Sequence, residues 1–193
     1  MPTLHAVFTD ADLEYLQNHF VTLDEACDRS GADAAEIRGR IAGGEIPAPS
    51  YVLDDGTELV PEDYFPLLDR AEFTRRYLAA GGDAAELAED WEGYLSGLFG
   101  VCLREVTPET MVRKEQLVVS LTRLLEHPQP EDDAWRARLR REVDELDELE
   151  KPFAPDYDRS GRFPHPPTRD YLISAVRERY PELFAKTARL TRS

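Results

Sequence analysis

Apolar positions along this chain recur mostly at helical spacing, with one short alternating stretch near residue 55. Residues 10–20 predict a short helix with Asp10 as its cap and Leu13, Leu16 and Phe20 on one side. Thr22 followed by Glu25 has the form of a capping box, so a second helix starts there, turns Leu23 and Ala26 inward and ends at Gly31. A third runs from about Asp33 to Ala42, carries Ile37 and Ile41 on one face and stops at Gly43-Gly44. Tyr51-Val52-Leu53 and Glu58-Leu59-Val60 then flank Asp54-Asp55-Gly56, which predicts a small hairpin.

Beyond Pro61 the pattern turns helical and stays so. Residues 63–70 form a short segment with Tyr64, Phe65, Leu67 and Leu68, and residues 71–80 a helix closed by Gly81-Gly82. The next helix starts near Asp83 and runs to about Glu105, with a stripe of Leu87, Trp91, Tyr94, Leu95, Leu98, Phe99 and Cys102. Thr107 caps and Pro108 opens a helix over 108–126 that buries Met111, Leu117, Val118, Leu121 and Leu125. A charged amphipathic helix covers 132–150 through Trp135, Leu139, Val143, Leu146 and Leu149. A proline-rich connection, 151–168, leads to a last helix that Pro181 kinks or restarts. The expected fold class is mainly α: a module over 1–65 with a small β-hairpin, packed on a multi-helix domain over 66–193.

Charge narrows the partners. The net charge is −16, which disfavours nucleic acid and anionic membrane, because both attract basic surface. Apolar runs fall short of the ~20 residues of a membrane span, and the N-terminus lacks a basic start and an apolar core. Cys27 and Cys102 lie too far apart in sequence for a disulfide framework, so a cytoplasmic protein is expected. A Walker loop and a Gly-x-Gly-x-x-Gly fingerprint are both absent, as are Glu-x-x-His and His-x-His spacings around His5, His19, His127 and His165. Neither a cofactor nor a metal is expected.

The stretch TLDEACDRSGADAAEIRGRIAGGEIPAPSY and its hairpin resemble the helix-turn-helix and wing of the MerR-like regulators. Leu23, Ala26 and Cys27 would lie in the first helix, Gly31 at the turn, Ile37, Arg38 and Ile41 in the second, and Gly44-x-Ile46-Pro47 would lead into the wing. The resemblance implies a winged-helix-like module whose second helix enters the major groove. The charges oppose that role. Residues 1–65 hold 14 acidic and 3 basic residues, a net −11, against −5 for the remainder. DNA is therefore an unfavoured partner, because phosphate contacts supply much of DNA affinity. The string FTRRYLAAGGDAAELAEDWEGYLSGLFGVCLREVTPETMVRKE, with PAPSYVL, DYFPLLD, KPFAPDYDR and TRDYLISAVRERYPELF, is similar to bacterial proteins of unknown function labelled natural product biosynthesis protein. That label implies a place beside biosynthetic genes and fixes no reaction.

Several constellations are chemically suggestive, and each has a plainer reading. Gly93, Gly97 and Gly100 cost helix stability at roughly 1 kcal/mol apiece, so they mark a close approach, the small-residue wall of a ligand cavity beside Trp91 and Tyr94, or a kink or hinge. Glu86 and Asp90 share a helix face, as solvated carboxylates, as an acid–base or metal pair, or with Asp90 bonded to Arg75 or Arg76. Arg104, Arg113 and Lys114 flank one turn and suit an anion or compensate helix ends. Tyr157 and His165 stand in the proline-rich connection, His165 being the histidine best placed for acid–base work. The candidate catalytic residues are thus Asp90, Tyr94 and His165. The ligand-binding candidates are Arg75, Arg76, Trp91, Gly93, Gly97, Arg104, Arg113 and Tyr157. The leading functional expectation is an accessory or interaction protein of a natural product pathway, meeting a partner protein. A cofactor-independent enzyme or small-molecule-binding protein is the alternative, and a divergent DNA-binding regulator comes last.

Overall fold

The computed structural model describes residues 8–154 and 166–185. In chain order it contains α1 (Asp10–His19), β1 (Phe20–Thr22), α2 (Leu23–Ser30), α3 (Ala34–Ala42), β2 (Tyr51–Val52), β3 (Glu58–Pro61), α4 (Arg70–Ala79), α5 (Leu87–Leu95), α6 (Leu98–Cys102), α7 (Pro108–Glu126) and α8 (Asp133–Leu149). After the connection, a π-helical turn (Arg169–Ser174) runs into α9 (Ala175–Arg179), and α10 (Pro181–Phe184) restarts at Pro181. The protein is mainly helical, with one small antiparallel sheet in the order β1-β3-β2.

Local chemistry places most helix starts. Thr22 and Glu25 close the expected capping box, Glu25 Oε2 accepting from the Thr22 N–H and hydroxyl at 2.9 Å each. Thr9, not Asp10, caps α1, through a second box with Asp12. Gly31 ends α2 in the left-handed region at φ 72°.

Three elements depart from the sequence pattern. Phe20–Thr22, expected as a helix end and a cap, pairs with β3 in the register Phe20↔Pro61, Val21↔Val60 and Thr22↔Leu59. Residues 63–69 form no helix: Pro66 disfavours helical backbone at Phe65, and the Tyr64 hydroxyl donates to the Pro47 carbonyl at 2.6 Å. The long helix over 83–105 is two helices, because Gly97 adopts φ 74° between α5 and α6.

The core is a chain of four neighbouring clusters. Leu23, Cys27, Ile37, Ile46, Val60 and Tyr64 hold α2 and α3 against the sheet. Leu16, Phe20, Tyr51 and Leu59 pack with Val101, joining the sheet to α6. Phe73, Tyr77, Trp91, Tyr94, Met111 and Val112 bring together α4, α5 and the first turns of α7. Leu117, Leu121, Leu139, Val143, Leu146, Leu172 and Ile173 join the remainder of α7 to α8 and the C-terminal helices. Gly97 and Gly100 answer to close approach: an added Cβ would lie 2.3 Å from the Ala48 carbonyl oxygen at one and 2.2 Å from Ser50 Oγ at the other.

Candidate functional site

Helix α7 serves two packing layers, and this creates the cleft. Met111 and Val112 face α4 and α5, while Leu117 and Leu121 face α8. On the side left between these partners lies an open cleft of about 820 Å³. Val112, Gln116, Val119, Arg123 and His127 line it at steps of three and four residues, one continuous helix face, with Glu115, Ser120 and Leu124 flanking them. The loop Gly81–Glu86 and Tyr77 close one end, and the start of α8 with Trp135 and Arg138 closes the other.

The loop end is acidic. Tyr77 is fully buried, and its hydroxyl donates to Asp90 Oδ2 at 2.6 Å. Burial first, and the bond to Asp90 second, push the phenol above its ordinary range. Gly82 lets the loop backbone lie on this ring, since a Cβ there would stand 2.3 Å from Tyr77 Cε1. Asp83, Glu86 and Glu115 line the same end. Glu115 reaches solvent through the cleft mouth, yet the surrounding protein, then Glu86 and Asp90, raise its carboxyl above the usual range. Among the described residues none of these carboxylates has a cationic partner.

The α8 end mixes both signs. Arg138 Nε donates to Glu142 Oε1 and its Nη2 to Ser120 Oγ, both at 2.8 Å, while Ser120 donates to Glu142 Oε2 at 2.5 Å. Asp132 caps α8 through the Ala134 N–H. The Trp135 indole donates to the Leu124 carbonyl at 3.2 Å, so its ring is fixed in the wall. Arg123 is exposed and has no ion-pair partner among the described residues.

A second polar cluster is inward and closed. Lys114 Nζ lies 2.9 Å from Glu150 Oε1 and 3.3 Å from Cys102 Sγ, and Thr168 also bonds that Glu150 oxygen. Burial would lower the Lys114 ammonium, but Cys102 and Glu150 outweigh it and hold it above the ordinary lysine range. Lys151 donates to the carbonyls of Gly100 and Leu103, and its amine is pulled down to about 8, chiefly by burial. Every described polar group in this cluster is spent on another, so it braces α6, α7 and the end of α8.

The structure disperses most of the sequence-derived candidates. Asp90 bonds Tyr77 and not an arginine: Arg75 is held by Glu72 on its own helix, and Arg76 reaches across to Glu109 on α7. Tyr77 reaches from α4 to Asp90 on α5, whereas Arg76 reaches to Glu109 on α7. Trp91 and Tyr94 are core residues, the Tyr94 hydroxyl accepting from the Leu68 N–H at 3.4 Å. Gly93 makes room for the Phe99 ring, 2.8 Å from a would-be Cβ, and Gly97 for the backbone of residues 48 and 49. Arg104, Arg113 and Lys114 do not converge on an anion. Arg113 is clamped on Glu145 at 2.5 and 2.6 Å, Lys114 is buried against Glu150, and Arg104 is exposed. Tyr157 and His165 lie outside the described residues. Of the predicted residues that are described, only Asp90 stands at the cleft, through Tyr77. Glu115, Arg123, His127 and Trp135 were not singled out as site residues. The available signal was the α7 face at 112, 116, 119, 123 and 127, too polar for core and too apolar for plain surface.

Among the described residues no helix is long and apolar enough to cross a membrane. No group of three or more His, Cys, Asp or Glu among them is placed to hold a metal ion. A family model described as a family of unknown function (DUF6058) matches residues 68–181, which include α4, α5, α7 and α8 and so every wall of the cleft. No curated protein and no solved structure matches the chain.

Proposed function

We propose that the chain, which belongs to the DUF6058 family of unknown function, is a small-molecule-binding protein whose ligand occupies the cleft along α7. The cleft itself carries this reading. Its volume of about 820 Å³ falls within the roughly 300–1,000 Å³ of small-molecule sites. Its lining mixes apolar Val112, Val119, Leu124 and Trp135 with polar groups, among which Glu86, Glu115 and Arg123 have no ion-pair partner among the described residues. Holding a pathway intermediate would also be an accessory role in natural product biosynthesis, so the two leading expectations meet in one site. Residues 1–65 are read as a winged-helix-like module turned to internal packing, set on a helical domain over 66–193. In support, Arg38 is tied to Asp24 and Glu58 at 2.8 and 2.6 Å instead of facing outward for phosphate, and segment 48–50 is locked onto Gly97.

The test is retention of a metabolite. Purified protein is incubated with a bacterial metabolite extract, washed and denatured, and the released molecules are identified by mass spectrometry. Val119 is 37 % exposed on the cleft wall, so Val119→Trp fills the space without disturbing the core. The expected result is a compound enriched by the natural protein and lost from Val119→Trp. Equal retention by a folded Val119→Trp, or none by either, overturns the proposal.

A further inference from the structure

The two ends of the cleft differ in charge, carboxylates without a cation at one and an arginine without an ion-pair partner at the other, among the described residues. Asp83, Glu86 and Glu115 gather at one end with no cation bonded to them among the described residues. At the other end Glu142 neutralises Arg138, and Arg123 is the cation without an ion-pair partner among the described residues, with His127 beside it and the α8 cap Asp132 on the same wall. Carboxylates crowded on a protein wall repel one another, and a bound cation relieves this. An organic ammonium suits this end, because its three N–H groups can each donate to a separate carboxylate oxygen. Val119 and Trp135 offer apolar contact between the ends.

The spacing sets the length of the guest. Glu115 and Arg123 are eight residues apart on α7, about 12 Å along the axis at 1.5 Å per residue. An extended peptide advances about 3.3–3.6 Å per residue, so three or four residues span that gap from amino group to carboxylate. Resting on the ligand-binding reading, we propose that the cleft takes a linear zwitterion of the free short-peptide class, its ammonium among Glu86 and Glu115 and its carboxylate on Arg123.

The test is calorimetric titration with the tripeptide Leu-Ala-Leu, its N-acetyl form and its C-terminal amide, on the natural protein, Glu115→Gln and Arg123→Gln. Both side chains are solvent-exposed, so both variants should fold. The expected result is charge-matched loss of about tenfold or more per missing charge. N-acetylation weakens binding to the natural protein but not to Glu115→Gln, and amidation weakens it but not for Arg123→Gln. Blocked peptides that bind as tightly as the free one overturn the proposal, as does absence of binding by Leu-Ala-Leu at millimolar concentration. If an extract compound is still retained in a Val119→Trp-sensitive way, only the peptide class falls. If that sensitivity is absent as well, the ligand-binding reading falls with it.

Discussion

Replacing Gly97 with alanine should break the contact between the sheet and α6. Gly97 stands at φ 74°, ψ 3°, and a residue with a Cβ in that left-handed region is strained by about 1–2 kcal/mol. The added Cβ would also lie 2.3 Å from the Ala48 carbonyl oxygen and 2.9 Å from that of Pro49. Both obstacles are backbone and cannot rotate away. Relief requires segment 48–50 to withdraw, which strains the Ala48 N–H bond to Leu95 at 2.7 Å and the buried Ser50 hydroxyl bond to Gly97 at 3.1 Å. Each such bond contributes about 1 kcal/mol, so the expected loss is about 3–4 kcal/mol, a large share of the roughly 5–15 kcal/mol of a typical domain. Gly39→Ala is the control. Gly39 lies inside α3, and beyond its own helix backbone nothing stands within 4 Å of a would-be Cβ, so alanine there should stabilise by roughly 0.5–1 kcal/mol. Urea unfolding followed by circular dichroism gives both values if the slope m is unchanged. A Gly97→Ala protein within about 0.5 kcal/mol of the natural one, a shift typical of an ordinary surface substitution, would refute this view of the 48–50 contact.

Three further outcomes follow from buried or crowded charge. The Lys151 amine titrates near 8 when folded and near 10.5 in the free side chain. Between these values the unfolded chain holds the extra proton, so the Lys151 contribution to stability rises with pH across that window. The natural protein should gain on Lys151→Met by up to roughly 3 kcal/mol between pH 7.5 and 10.5; a difference independent of pH contradicts the assignment. Glu115 has a raised folded pKa, so its ionisation works against folding as pH rises through that value. Glu115→Gln should be more thermally stable at pH 7, with the advantage gone below the free value of 4.5, and a melting difference that is constant with pH would count against a crowded carboxylate. The Arg113–Glu145 pair is bidentate but 44 % and 35 % exposed, so a double-mutant cycle should give a coupling of about 0.5–1 kcal/mol that shrinks in salt.

What could be read in the sequence were the features set by neighbours along the chain. Thr22 with Glu25, Gly31, Asp54-Asp55-Gly56, Thr107-Pro108 and Pro181 each act within one turn, and each punctuates the fold where expected. Strand β1 escaped because its pairing partner lies about 40 residues away in β3. A kink or hinge is only the last of three readings for Gly93, Gly97 and Gly100, because a glycine in an apolar stripe reads as a tolerated helix residue and the reason for the break at Gly97, the backbone of Ala48, is remote in sequence. The cleft was hidden for a related reason. Glu115 and Arg123 look like an ordinary solvated face until the Gly81–Glu86 loop and the start of α8 turn that face into a wall. Asp90 lies on the expected helix, but Tyr77 was not among the partners the sequence suggested for it. A tyrosine hydroxyl, unlike an arginine, leaves no charge pattern along the chain.

The chain has two tryptophans, and they report on different places. Trp135 stands in the cleft wall, whereas Trp91 is packed against Phe73 and Tyr94 away from it. Their two indole N–H signals in a ¹⁵N-labelled protein therefore read occupancy of the cleft directly. Adding the metabolite fraction retained by the natural protein should shift or broaden the Trp135 signal and leave that of Trp91 in place. Two unmoved signals, or movement of Trp91 alone, would contradict a ligand site along α7.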